Sequence, residues 1–333
     1  KMELTYLLAF PDPDDGKSPP EPFHGLKDAP YFQPVDIDLH TLGEETIDIL
    51  GKRVSVLRQR YDGRVQIIEF HFEQDDPFAA PALQSRRQLE ETLRARFIPA
   101  QHREGGLFEE YIILLVDKVR AAPDKWIDRQ ARNLAKFLRA QREILDRKEV
   151  DEILASRVRY SKHDLTLVEW EGAVIISADG DFESDILLLK IGNYQLLRYR
   201  MLDQSVETLL DHINESFFIN RRRPRPTRGA MRRIVEHRLE VMLDFERTEQ
   251  NLLLIGDWYT AKLYTAIRDE FYLEEWKNAI RGKLDHLDSI TQPVKENFTL
   301  SVESLWSRIE MTGWAILLIG YIYLFLADVG LLK

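Results

Sequence analysis

The stretch Glu69-Phe-His71-Phe-Glu73-Gln-Asp75-Asp76 puts His71 and Glu73 on one face of a strand with two more acids just beyond. Nitrogen and carboxylate donors in that pattern suit a weakly held cation, and the polar outer face of a strand produces the same pattern with no ligand. Ser177-Ala-Asp179-Gly-Asp181-Phe-Glu183-Ser-Asp185 has the acids of a calcium loop without its spacing or closing Glu. It reads as a turn leading into an acidic helix N-terminus. No two histidines stand at the i, i+4 spacing of a helical zinc pair.

Nucleotide and nucleophile signatures are equally thin. Gly43-Glu-Glu-Thr-Ile-Asp-Ile-Leu-Gly51-Lys52 holds too many residues between its glycines for a phosphate-cradling loop and lacks a Ser or Thr after the lysine. It reads as an ordinary helix with a terminal glycine. Neither a dinucleotide fingerprint nor a nucleophile elbow occurs, and the chain has 0 Cys, which removes thiol chemistry and disulfides. No catalytic residue, cofactor or metal follows from the sequence, and the expectation is a protein without enzymatic activity.

One charged cluster stands out. Arg221, Arg222, Arg223, Arg225, Arg228, Arg232 and Arg233 occur together with no acid among them, in a chain of net charge -10. Pro224 and Pro226 discourage a continuous helix, so the arginines belong on an extended loop and the first turn of the next helix. A solvated loop, contact with anionic lipid or an acidic partner, and a polyanion such as RNA all fit. The acidic balance and pI ≈ 5.4 argue against nucleic acid as partner of the whole molecule.

The elements that would position these residues fall into three parts. Residues 1–180 read as a mixed α/β domain around one sheet: a first strand at residues 2–9, a hairpin about Asp62-Gly63, helices from Leu83 and Pro123, a buried strand Glu109–Lys118, and two strands turned at Glu171-Gly172. Residues 181–310 keep apolar residues at helical spacing and form a stem of long helices. Residues 311–332 carry no formal charge from Met311 to Ala327, and at about 1.5 Å per residue this covers most of a hydrocarbon core of about 30 Å. The expected fold class is therefore α+β, a mixed domain followed by long α-helices and a single C-terminal transmembrane helix. With no export signal, the bulk of the chain is expected in the cytosol, anchored at the inner (cytoplasmic) membrane with membrane lipid as a partner.

Gly313, Gly320 and Ala327 recur every seventh residue and form a narrow stripe down one side of that helix, with Tyr321 alongside. Together with the apolar steps from Ile280 to Ile309, they predict a homo-oligomer seam.

The order of "DFESDILLLKIGNYQLLRYRMLDQSVETLLDHI", a long helix, "GDWYTAKLY", a charged helix and "RIEM" running into an apolar end resembles the family called required for meiotic nuclear division, over residues 165 to 330. Arg308, Ile309, Glu310 and Met311 match its Arg-Leu-Glu-Trp piece in part, and its usual acid within the span has no counterpart at Gly320 or Tyr321. The resemblance implies a membrane-anchored oligomeric scaffold with no known catalysis and a protein partner for the cytosolic domain. The layout is also similar to the CorA magnesium channels, which implies ion transport as the alternative. Their Gly-Met-Asn loop and second span are missing here.

Overall fold

In β1 (Met2–Pro11), Leu4, Tyr6, Leu8 and Phe10 alternate with Thr5, Leu7 and Ala9, and all seven are buried. A strand buried on both faces needs cover above and below. In the computed structural model, which describes residues 1–12, 37–117, 119, 122–139, 145–214, 228–250 and 258–328, β1 lies inside an eight-stranded sheet. The other strands are β2 (Leu39–Ile49), β3 (Lys52–Tyr61), β4 (Val65–Gln74), β5 (Glu109–Val116), β6 (Arg157–Val158), β7 (Leu165–Val168) and β8 (Gly172–Ile176). Their order is β2, β3, β4, β1, β5, β8, β7, β6, and every pairing is antiparallel except β5 with β8.

Alternation assigns the two faces. Leu4, Tyr6 and Leu8 of β1, Phe70 and Phe72 of β4, and Leu114 and Val116 of β5 join a core with α1 (Ala80–Phe97), α3 (Pro123–Leu138) and α4 (Arg147–Ile153). A short α2 (Ala100–Glu104) precedes β5. The opposite face, with Thr5, Glu69 and Tyr111, is covered by α5 (Glu183–Asn214), which also packs on α6 (Arg228–Gln250) and α7 (Trp258–Glu270). α5 and α7 come close because Gly192 has no side chain: a Cβ there would lie 2.4 Å from Ile267 Cγ2 and 3.1 Å from Phe271 Cε2. Gly192→Ala is expected to destabilise by about 1–3 kcal/mol through overpacking, read as a lower urea midpoint at unchanged m-value.

The stretch Gly43–Gly51, expected as a helix, is the end of β2 and its turn into β3. Leu50 and Gly51 both take positive φ, 49° and 73°, the geometry of a two-residue hairpin turn. Its acids, Glu44, Glu45 and Asp48, are exposed on an edge strand, where charge discourages further strand pairing. The expected hairpin at Asp62-Gly63 is present, with φ of 50° and 61°.

The chain divides into two compact units, Lys1–Ile280 and Arg281–Lys333. The last helix, α8 (Leu273–Asp328), carries the second. The expected transmembrane helix over residues 311–332 is corrected here, because among the described residues no helix is long and apolar enough to cross a membrane. The single-pass C-terminal anchor and the placement at the inner membrane fall with it.

Candidate functional site

Two groups of polar side chains in the first unit have enough chemistry to be weighed as sites. One lies beneath α5. Lys190 Nζ sits 2.7 Å from Glu69 Oε2 and donates to Gln59 Oε1 at 3.0 Å. Glu69 Oε1 is 2.7 Å from His71 Nε2, and His71 Nδ1 is 2.9 Å from Thr5 Oγ1. Burial alone would raise the Glu69 carboxyl, but Lys190 and His71 outweigh it and hold it at about 2. Burial likewise works against the Lys190 charge, and Tyr61 and Glu69 outweigh it, so that its pKa is raised.

Thr5, His71 and Glu69 have the hydroxyl, imidazole, carboxylate order of a nucleophilic triad. Access decides against that use. Thr5 is 0% exposed in the middle of β1, so no substrate carbonyl can reach its Oγ1. The group instead ties α5 to the sheet. Further along, Tyr194 stacks on Tyr61 with ring centroids 5.6 Å apart and donates to Asp62, and Arg198 Nη2 pairs with Asp244 of α6 at 2.6 Å. Among the described residues the buried Tyr61 hydroxyl has no hydrogen-bond partner, so Tyr61→Phe is expected to be neutral or to stabilise by up to about 1 kcal/mol in urea unfolding.

The second group lines a notch of about 360 Å³. β8 pairs with β5 only from Ile112 onward, opposite Gly172, whereas β1 already pairs with β5 at Glu109. The first residues of β5 therefore have a strand on one side and a gap on the other. Gly172 closes the gap's end, since a Cβ there would lie 2.5 Å from the Ile112 carbonyl oxygen. Around the gap stand Arg86 and Glu90 of α1, Trp170 and Glu171 of the β7–β8 turn, Asn193 of α5, and Phe271.

Arg86 is 2% exposed; its Nη1 donates to the Phe137 carbonyl at 2.9 Å, its guanidinium lies 4.4 Å over the Phe137 ring, and its Nε is 3.0 Å from Glu90 Oε1 but out of line for a hydrogen bond. Burial pushes Glu90 up to about 7 despite Arg86. Glu110 accepts from the Tyr6 hydroxyl at 2.7 Å and meets Arg94 at 3.3 Å, while Glu109 pairs with Arg200. Arg139 is shared: it holds Glu169 at 2.7 Å and reaches Glu171 only at 3.9 Å. Burial raises Glu109, Glu169 and Glu171 as well.

The residues singled out by sequence are not brought together here. His71 turns inward to Glu69 and Thr5, and Glu73 meets Lys1 at 3.2 Å, so the two do not share a cation. Asp179 accepts from Ser177 Oγ at 2.5 Å and from the Asp181 amide at 3.2 Å, the contacts of a turn. Asp185 accepts from Thr166 and from Tyr259 at 2.8 Å. Among the described residues no three His, Asp or Glu side chains are placed to hold a metal. Arg221, Arg222, Arg223 and Arg225 lie outside the described residues; Arg228, Arg232 and Arg233 fall in α6 with side chains outside them. Gly313, Gly320 and Tyr321 are exposed on α8, and the side chain of Ala327 is outside the described set. The notch escaped motif reading because it is assembled from α1, β5, a turn and α5. One local sign exists: Arg86 stands at i relative to Leu89 (i+3) and Leu93 (i+7), inside the apolar stripe of α1.

Residues 27–183 match the family described as "Uncharacterized protein MJ0711, N-terminal domain". This stretch holds β2 to β8 and α1 to α4. The uncharacterized protein MJ0711 of Methanocaldococcus jannaschii is 23% identical over 183 residues, 53% of this chain and 55% of the relative. The match thus spans about half the length of that curated relative. No solved structure matches. The similarity to the required for meiotic nuclear division family and to the CorA channels is overturned, since the matches found are to MJ0711 and its N-terminal domain family and to neither of those two. Order and spacing of long helices, on which both resemblances mainly rested, recur in unrelated helical proteins.

Proposed function

We propose that this protein is a non-catalytic, homo-oligomeric scaffold, in which the C-terminal helix brings copies together and the α/β unit presents a surface to a protein partner. One observation carries this reading. Met311, Trp314, Ile316, Leu317, Leu318, Ile319 and Tyr321 of α8 are each 62–73% exposed. Together they leave roughly 1,000 Å² of apolar surface in water, more than the ~300–600 Å² of the largest patch on a typical monomer and close to the ~800 Å² per partner of a stable interface. Four of these residues are consecutive, so the surface runs round the whole helix.

Cover on every side is what several copies of the same helix supply to one another. The stripe of Gly313 and Gly320 suits this: a Cβ at either would meet nothing within 4 Å, which leaves room for another backbone. Light scattering on the purified full chain is expected to show an oligomer at micromolar concentration. Leu317→Glu with Ile319→Glu is expected to return the monomer, and Gly313→Ile with Gly320→Ile to shift the population to smaller species. A wild-type chain that stays monomeric across the concentration series overturns the proposal.

A further inference from the structure

The notch beside the start of β5 is independent of that reading, and its lining suits a ligand. We propose that it binds a small organic cation, an ammonium compound with an apolar body. Its volume of about 360 Å³ lies within the range of small-molecule pockets. Its walls include Phe108, Tyr111, Trp170 and Phe271; the Phe271 ring stands 5.3 Å from Tyr111 and 6.2 Å from Trp170, both edge-on. Such a surface takes an apolar body and attracts positive charge to its ring faces.

Three further observations fix the sign of the charge. Asn193 is 3% exposed and lines the notch; its Nδ2 donates to the Leu189 carbonyl at 2.9 Å, and its Oδ1 is an amide acceptor rather than a donor. The acids are short of counter-charge, because Glu90, Glu109, Glu110 and Glu171 line the notch with Arg86 as its one lining cation. Arg94 and Arg200 outside it serve Glu110 and Glu109, and Arg139 is spent mainly on Glu169, so Glu171 is left with a partner 3.9 Å away. An anion fits poorly, since the Arg86 guanidinium is already committed to the Phe137 carbonyl, the Phe137 ring and Glu90. A metal ion fits no better, because these carboxylates do not converge, whereas an ammonium group accepts donors spread over a wider angle.

Glu90 gives the site a pH signature. It is faced by Arg86, Arg87 and Arg94 on its own helix and by Glu110 of β5, and it acts in turn on Tyr6 of β1 and Lys52 of β3. Burial holds it at about 7, so a cation bound beside it favours the carboxylate and expels its proton. Affinity is therefore expected to rise between about pH 6 and about pH 8.

Titration calorimetry on the full chain with phenethylamine, and with phenylpropionate as the anion of similar shape, tests this. The amine is expected to bind with a dissociation constant in the millimolar range and the acid not to bind. Glu171→Gln, a half-exposed change that leaves the core intact, is expected to weaken the amine about five-fold, and Glu90→Gln to abolish the dependence on pH. Equal or tighter binding of phenylpropionate, no saturable binding of the amine at about 10 mM, or an affinity indifferent to Glu171→Gln overturns the proposal.

Discussion

Replacing Lys190 with Met is expected to cost about 3–5 kcal/mol of stability, the loss that follows when one partner of a buried ion pair is removed. Glu69 would remain at 5% exposure, in contact with His71 alone on one oxygen and stripped of the ammonium 2.7 Å from the other. A carboxylate so placed must either stay charged in a poor dielectric or take up a proton, and both are costly. The double variant Lys190→Met with Glu69→Leu is expected to recover most of the loss, because neither charge is then left stranded and both side chains join an apolar interface. Urea unfolding of the wild type, the two single variants and the double variant forms a cycle that measures the coupling. A single-variant cost below about 1 kcal/mol would show that water reaches Glu69 and that the pair is not sealed under α5.

The sheet was legible where β-branched and aromatic residues were dense and a turn dipeptide marked the strand ends. Both strands about Asp62-Gly63 are rich in β-branched and aromatic residues on either side of a turn dipeptide, while the run from Glu109, buried from Tyr111 on, and the pair turned at Glu171-Gly172, buried throughout, are short apolar runs, and all appear where those patterns put them. β2 was not legible, because Glu44, Glu45 and Asp48 are poor strand formers and the turn depends on Leu50 taking a positive φ that its type does not announce. The polar group under α5 was hidden for another reason. Lys190 stands between Leu189 and Ile191 in a helix read only for its apolar residues at helical spacing, and its partners come from β3 and β4 more than a hundred residues earlier. Spacing along one chain cannot reveal a pairing across two elements. The apolar end of α8 was visible in the sequence, but the span expected over residues 311–332 is not supported, since among the described residues no helix is long and apolar enough to cross a membrane.

Stability is expected to fall on both sides of a maximum near pH 4.5–5, with opposite causes on the two limbs. Glu69 sets the acid limb: its carboxyl is lowered from 4.5 to about 2, so its contribution is complete above 4.5 and is lost as pH falls through 2. Glu90 sets the other. Its carboxyl is raised from 4.5 to about 7, so the folded chain is favoured below 4.5 and loses that advantage as pH rises through 7. The interval from 4.5 to about 7 corresponds to about 3 kcal/mol at about 1.4 kcal/mol per pH unit. Glu109, Asp62 and Asp185 are raised by burial too and tilt the same limb in the same direction. Glu90→Gln removes the titrating group while keeping an acceptor beside Arg86, so the variant is expected to flatten the curve between pH 5 and pH 8 and to exceed the wild type at pH 8, by at most about 3 kcal/mol. Urea midpoints measured across that range decide it. A variant that loses as much stability as the wild type between pH 5 and pH 8 would remove Glu90 as the cause and leave the slope to the other buried acids.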